Sequence, residues 1–155
     1  MSIFKHLFNK SEPQCPRCLG KGFVDWDDIR RLNKVLKWVP APCAYCNGSG
    51  KTTKEMLANV PVDMTYLTID LPESEIEKIK NGDIETLEKG KQKELFLENL
   101  IKYVQDHYLN KNMTAEDIAE LYLRTESENA QFSIERQNLI QYIRQIIELK
   151  KSDLN

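Results

Sequence analysis

Cys15-Pro16-Arg17-Cys18-Leu19-Gly20-Lys21-Gly22 and Cys43-Ala44-Tyr45-Cys46-Asn47-Gly48-Ser49-Gly50 share one pattern, C-x-x-C-x-G-x-G. The chain has four cysteines, all in these two stretches, and four of its six glycines occupy the same phase behind a cysteine pair. One C-x-x-C is weak evidence. Two of them, 24 residues apart between Cys18 and Cys43 and with no spare cysteine, match a tetrahedral zinc site in which each pair supplies two thiolates from one tight turn. The glycines fit that chemistry, because a knuckle must turn backbone N–H groups toward sulfur and glycine permits the positive φ this needs. The expected metal ligands are therefore Cys15, Cys18, Cys43 and Cys46, around one Zn²⁺ per chain. Zinc with four thiolates carries a net −2 charge, which the nearby Arg17, Lys21, Lys51 and Lys54 would offset.

The doublet resembles the DnaJ-type cysteine-rich zinc-binding domain, whose repeat is C-x-x-C-x-G-x-G. In that family two repeats build each zinc site, so the resemblance implies one site here, over roughly residues 13–52, and a module that binds proteins. It carries no co-chaperone activity. His6 is followed by Leu7 and His107 by Tyr108, so the His-Pro-Asp tripeptide of a J-domain is missing. Two-repeat knuckles also resemble anti-TRAP, a zinc-binding regulator that occupies the surface of an RNA-binding protein. Three roles stay open for the cysteines: a structural staple, a redox pair that exchanges disulfides after zinc loss, or a module that itself touches a partner.

Outward from the knuckles, residues 25–42 predict a helical spacer, with Ile29, Leu32, Val35, Leu36 and Val39 at three-and-four spacing and Pro40 and Pro42 as stops. Trp26 and Trp38 bracket it, either covering the zinc core or offering an aromatic surface. Thr52-Thr53-Lys54-Glu55 predicts a capping box for a short helix ending before Pro61. Residues 62–71 have no clean period and suit a short strand or an extended linker.

Beyond them the pattern is helical. Pro72–Asn81 stops at Gly82. A longer helix falls within Asp83–Asn110, with Gly90 able to split it. Thr114 caps a helix bearing Ile118, Leu121 and Tyr122. The last helix starts near Ser133 and carries Leu139, Ile140, Ile143, Ile146 and Ile147. The expected fold is mainly α, a small zinc-knuckle module with a helical insertion followed by a helical bundle. Its expected organisation is an apolar N-terminal segment (1–12, with Ile3, Phe4, Leu7 and Phe8), the zinc module (13–60), a linker (61–71) and a helical domain (72–155).

Composition bounds the function. The chain's 155 residues are 41% hydrophobic and 30% charged, with no apolar run long enough to span a bilayer. The start is too polar for a secretory signal, so the expected location is cytoplasmic. Net charge is −2, but residues 1–58 carry ten basic and five acidic groups, whereas 59–155 carry twelve and nineteen. No nucleophile triad, phosphate loop or carboxylate pair stands out, and two distant histidines give acid–base catalysis little to use. An enzyme is not expected. The leading expectation is a cytoplasmic zinc-binding adaptor or chaperone-like protein that binds protein partners or clients. A nucleic-acid-associated regulator, or a docking subunit of a larger assembly or homo-oligomer, are the alternatives.

Overall fold

The computed structural model describes residues 12–126 and 134–153. The apolar segment around Phe4 and Phe8, and Ser133 at the expected start of the last helix, lie outside the described residues. Element order is β1 (Phe23–Val24), α1 (Trp26–Arg31), β2 (Ala41–Pro42), α2 (Lys54–Asn59), α3 (Glu73–Lys80), α4 (Ile84–Lys111), α5 (Ala115–Thr125) and α6 (Arg136–Asp153). The chain is mainly α, and the described residues form one two-stranded antiparallel sheet pairing Phe23 with Pro42 and Val24 with Ala41. No helix among the described residues is long and apolar enough to cross a membrane.

Two compact units part at Gly90/Lys91. In the first, the buried core gathers the four cysteines with Ile29, Trp38, Tyr45, Met56, Val60, Leu67 and Ile79. This core crosses the segment 61–71 that the sequence suggested as a linker. Leu67 is fully buried, and the segment folds as three successive turns, with Met64 N–H donating to Pro61 O, Leu67 N–H to Met64 O and Leu71 N–H to Thr68 O. It forms no strand. The module therefore extends past residue 60 and takes in α3, because Ile79 belongs to the same core.

The spacer between the cysteine pairs is less helical than its periodicity suggests. The first turn of α1 is held by a reciprocal capping box between Asp25 and Asp28. The helix then ends at Arg31. Asn33 takes a φ of 57° while Lys34 N–H donates to Ile29 O, and Leu36 follows at 71°. Left-handed residues at a C-terminus close a helix. The apolar spacer residues consequently split: Ile29 is fully buried and Val39 is 71% exposed. The two tryptophans split likewise, Trp38 buried and Trp26 half exposed.

Helix α2 is capped by Thr53, whose side chain accepts from Met56 N–H, rather than by the expected Thr52–Glu55 box. Helix α3 keeps its expected bounds and turns out at Gly82, φ 73°. Helix α4 runs unbroken through Gly90. A Cβ there would stand 2.5 Å from Met64 Cε and 3.2 Å from Tyr66 Cβ, so this glycine serves close packing instead of a break.

In the second unit, Thr114 caps α5 by accepting from Asp117 N–H, as expected. The five apolar residues Leu139, Ile140, Ile143, Ile146 and Ile147 of α6 are all buried, with Ile118 and Ala119 of α5 and Leu100 and Val104 of α4. Tyr103 and Tyr122 meet edge to face at 5.4 Å. Arg136 pairs with Glu120 at 2.6 Å, and Arg144 pairs with Glu116, both on the surface.

Candidate metal centre

The two knuckles are related by a shift of 28 residues, and their hydrogen bonds repeat at that shift. Gly20 N–H donates to Cys15 O and Gly48 N–H to Cys43 O; Lys21 N–H donates to Cys18 O and Ser49 N–H to Cys46 O. They also reach across to each other, Cys15 N–H to Gly50 O at 2.8 Å and Cys43 N–H to Gly22 O at 3.0 Å. The flanking pair Gln14–Lys51 repeats Pro42–Phe23 in the same antiparallel sense. One local sequence, written twice, thus folds into two equivalent turns that close on each other.

That closure brings four sulfurs together. The Sγ atoms of Cys15, Cys18, Cys43 and Cys46 all lie within 4.8 Å of one another and all four residues are buried. Cys15 and Cys43 approach to 3.9 Å, and Cys18 and Cys46 to 3.8 Å. Zn–S bonds of about 2.3 Å place tetrahedral sulfurs about 3.8 Å apart, whereas a disulfide needs about 2.05 Å. The spacing fits one metal ion and not a bonded pair of cysteines. Gly22 N–H and Gly50 N–H each donate to sulfur at 3.2 Å, to Cys18 and Cys46 respectively, and both glycines have positive φ (76° and 78°). Donors aimed at sulfur stabilise thiolate, the form that ligates metal. Among the described residues these four make the one His/Cys/Asp/Glu cluster suited to hold a metal.

Close approach and burial also act on the thiols themselves. Contact with the Cys43 sulfur holds Cys15 at about 5, far below a free thiol, and the same contact together with burial drives Cys43 up. Burial also raises Cys18. Four thiolates in one dry site repel one another, and a divalent cation is what allows all four to ionise together.

Around the sulfurs the sequence signals were weaker. Asp28, 1% exposed, binds Lys21 Nζ at 2.8 Å and Arg31 Nη2 at 2.9 Å. Arg31 Nη2 also donates to Arg17 O at 2.8 Å, so α1 is tied directly to the first knuckle. Arg17, expected as a nearby offsetting cation, is 2% exposed, and burial lowers it to about 10. Its guanidinium lies 4.5 Å from the centre of the Trp38 ring and 5.3 Å from that of Tyr45. Of the other expected offsetting cations, Lys21 faces Asp25 and Asp28, while Lys51 is exposed. His107 lies apart, in the second unit, buried against Tyr103 at 4.0 Å with Nδ1 2.8 Å from Tyr103 O.

Leu19 and Asn47 occupy equivalent positions and both have φ 53°. Asparagine tolerates that conformation, and a leucine there costs about 1–2 kcal/mol. Leu19 is half exposed, so little packing offsets the cost. Leu19→Asn should raise the stability of the metal-loaded protein by up to about 1 kcal/mol, seen as a higher urea midpoint at unchanged slope. A lowered midpoint would show that the Leu19 side chain supplies more than its backbone costs.

Comparison with protein families, curated proteins and solved structures gives no match.

Proposed function

We propose that the chain is a zinc-binding adaptor or chaperone-like protein of the cytoplasm, with DnaJ-like knuckles in which zinc is structural. The carrying observation is the pair of equivalent knuckles that gathers four buried sulfurs at tetrahedral spacing while apolar side chains next to it stay exposed. A buried, four-sulfur site offers no open coordination position, which favours a staple over a catalytic metal. The all-thiolate donor set selects a soft or borderline ion, and zinc suits a tetrahedral S4 site without redox chemistry. We read no catalytic role in the chain.

The partner surface we favour is the hairpin end of the module. Phe23 is 45% exposed, Trp26 50% and Val39 71%, and Leu19 adds to them. Large aromatic anchors of this kind dominate binding energy at protein interfaces. Trp38 is not part of this surface, because it is buried and its Nε1 donates to Thr65 O at 3.1 Å.

Two measurements test the reading together. Elemental analysis of purified protein should give one zinc per chain. Affinity purification from the native host should recover a protein partner, and Phe23→Ala with Trp26→Ala should weaken that capture by more than about tenfold while leaving zinc content intact. An interaction of this apolar sort should persist at high salt. Tight RNA binding at physiological salt, with capture indifferent to both substitutions, would overturn it, since phosphate-driven binding falls steeply with ionic strength.

A further inference from the structure

Five backbone carbonyls in residues 60–67 accept hydrogen bonds from side chains of the knuckle half of the first unit. Arg17 supplies three of them, with Nε to Val62 O at 2.8 Å, Nη2 to Met64 O at 3.1 Å and Nη1 to Leu67 O at 2.7 Å. The two rings flanking its guanidinium supply the others. Tyr45 Oη donates to Val60 O at 2.8 Å, and Trp38 Nε1 donates to Thr65 O. A turn segment with no strand or helix of its own is thus held by one cation and the two rings nearest to it.

This cation is buried, and among the described residues no carboxylate forms an ion pair with it, Asp63 acting on it only from beyond contact distance. A buried guanidinium without compensating negative charge is strongly unfavourable. Arg17 also sits between two sulfur donors, Cys15 and Cys18, so the turn that sets its direction is the turn that would wrap the metal. A tetrathiolate zinc centre would carry −2 and would supply nearby the close counter-charge that Asp63 does not.

We propose that Arg17 is a positioning residue that couples metal loading to the docking of residues 60–67, so that the segment packs onto the knuckles only when the four sulfurs hold a metal. This rests on the zinc reading above. When the metal leaves, the knuckle turn relaxes, the guanidinium loses its counter-charge, and the three carbonyls it holds are released. The segment then opens with the Leu67 contact, while the second unit keeps its own core. The loss of metal thus reaches residues 60–67 through Arg17 as well as through the core that Leu67 shares with the cysteines.

The test compares the full-length protein with Arg17→Met and Arg17→Lys, using zinc competition against a colorimetric chelator and amide hydrogen exchange. In the unaltered protein, removing zinc should deprotect the amides of Met64, Leu67 and Leu71 at the same chelator concentration that strips the metal. Arg17→Met should weaken zinc binding by about 10–100-fold. Zinc-loaded, it should exchange quickly at Met64 and Leu67, while Gly20 and Gly48, whose N–H groups bond within the knuckles, stay protected. Arg17→Lys keeps the charge and loses the fork, so it should recover most of the zinc affinity and little of the loop protection; it also serves where the methionine variant does not fold. Loop protection that survives zinc removal, or variants with unaltered affinity and exchange, would overturn the coupling alone. Failure of the unaltered protein to bind zinc would overturn the metal reading beneath it.

Discussion

Cys43→Ser should abolish stoichiometric zinc binding and unfold the whole described part of the first unit, residues 12–90, and not only the knuckles. Cys43 is fully buried and its sulfur stands 3.9 Å from that of Cys15, so a serine leaves a three-sulfur site with a poor fourth donor. Structural zinc contributes an apparent 10–16 kcal/mol or so to the folding of small metal domains, more than most domains have in total. The loss spreads because Leu67 and Ile79 pack in the same core as the cysteines. The second unit is built differently. Leu139, Ile143 and Ile146 are fully or almost fully buried with Ile118, without any cysteine, and most helical residues lie beyond Lys91. Circular dichroism of the variant should therefore keep most of its helical signal, while amides in residues 12–90 exchange freely. Complete loss of the helical signal would show that the second unit depends on the first.

The contrast between the units explains what the sequence made legible. The second unit was readable because its core is one-dimensional information: Leu139, Ile140, Ile143, Ile146 and Ile147 recur at helical spacing, and all five are buried. The four cysteines were readable because metal chemistry restricts residue type and spacing together. Between the cysteine pairs, the same periodic reasoning failed. Ile29, Leu32, Val35, Leu36 and Val39 have helical spacing, but a core centred on four sulfurs is not a stripe along one helix. Asn33 and Leu36 turn the chain left-handed to bring Trp38 back over Arg17.

Residues 60–67 were illegible for a related reason. Their role is carried by backbone carbonyls, which every residue possesses, and not by side-chain pattern. The donor was also disguised, because an arginine inside a C-x-x-C pair reads only as a counter-charge to the metal site. Its burial becomes evident only when Trp38 and Tyr45 close over it. Gly90 misled in the opposite direction. Its lack of a side chain suggested a helix break, whereas Met64 and Tyr66 need the space.

Glycine substitutions within the knuckles should rank by what a new Cβ meets, and the largest effects should fall at Gly22 and Gly50. A Cβ at Gly22 would stand 2.3 Å from Gly48 O, and one at Gly50 would stand 2.3 Å from Gly20 O. Both obstacles are backbone, in the turn of the opposite knuckle, and cannot rotate away. At Gly48 the nearest obstacle is Gly22 O at 3.9 Å, an ordinary contact, so only the φ of 78° is penalised there. Gly48→Ala should therefore cost about 1–2 kcal/mol and retain zinc. Gly22→Ala and Gly50→Ala carry that cost plus a clash that forces the knuckles apart. The shift also pulls each N–H away from its sulfur, Cys18 in one case and Cys46 in the other. Zinc affinity should then drop by about 10–100-fold, the usual consequence of losing a partner that orients a ligand. Chelator competition on the three variants measures the order directly. Equal losses at Gly22, Gly48 and Gly50 would mean that backbone conformation alone governs the site and that the cross-knuckle approach contributes nothing.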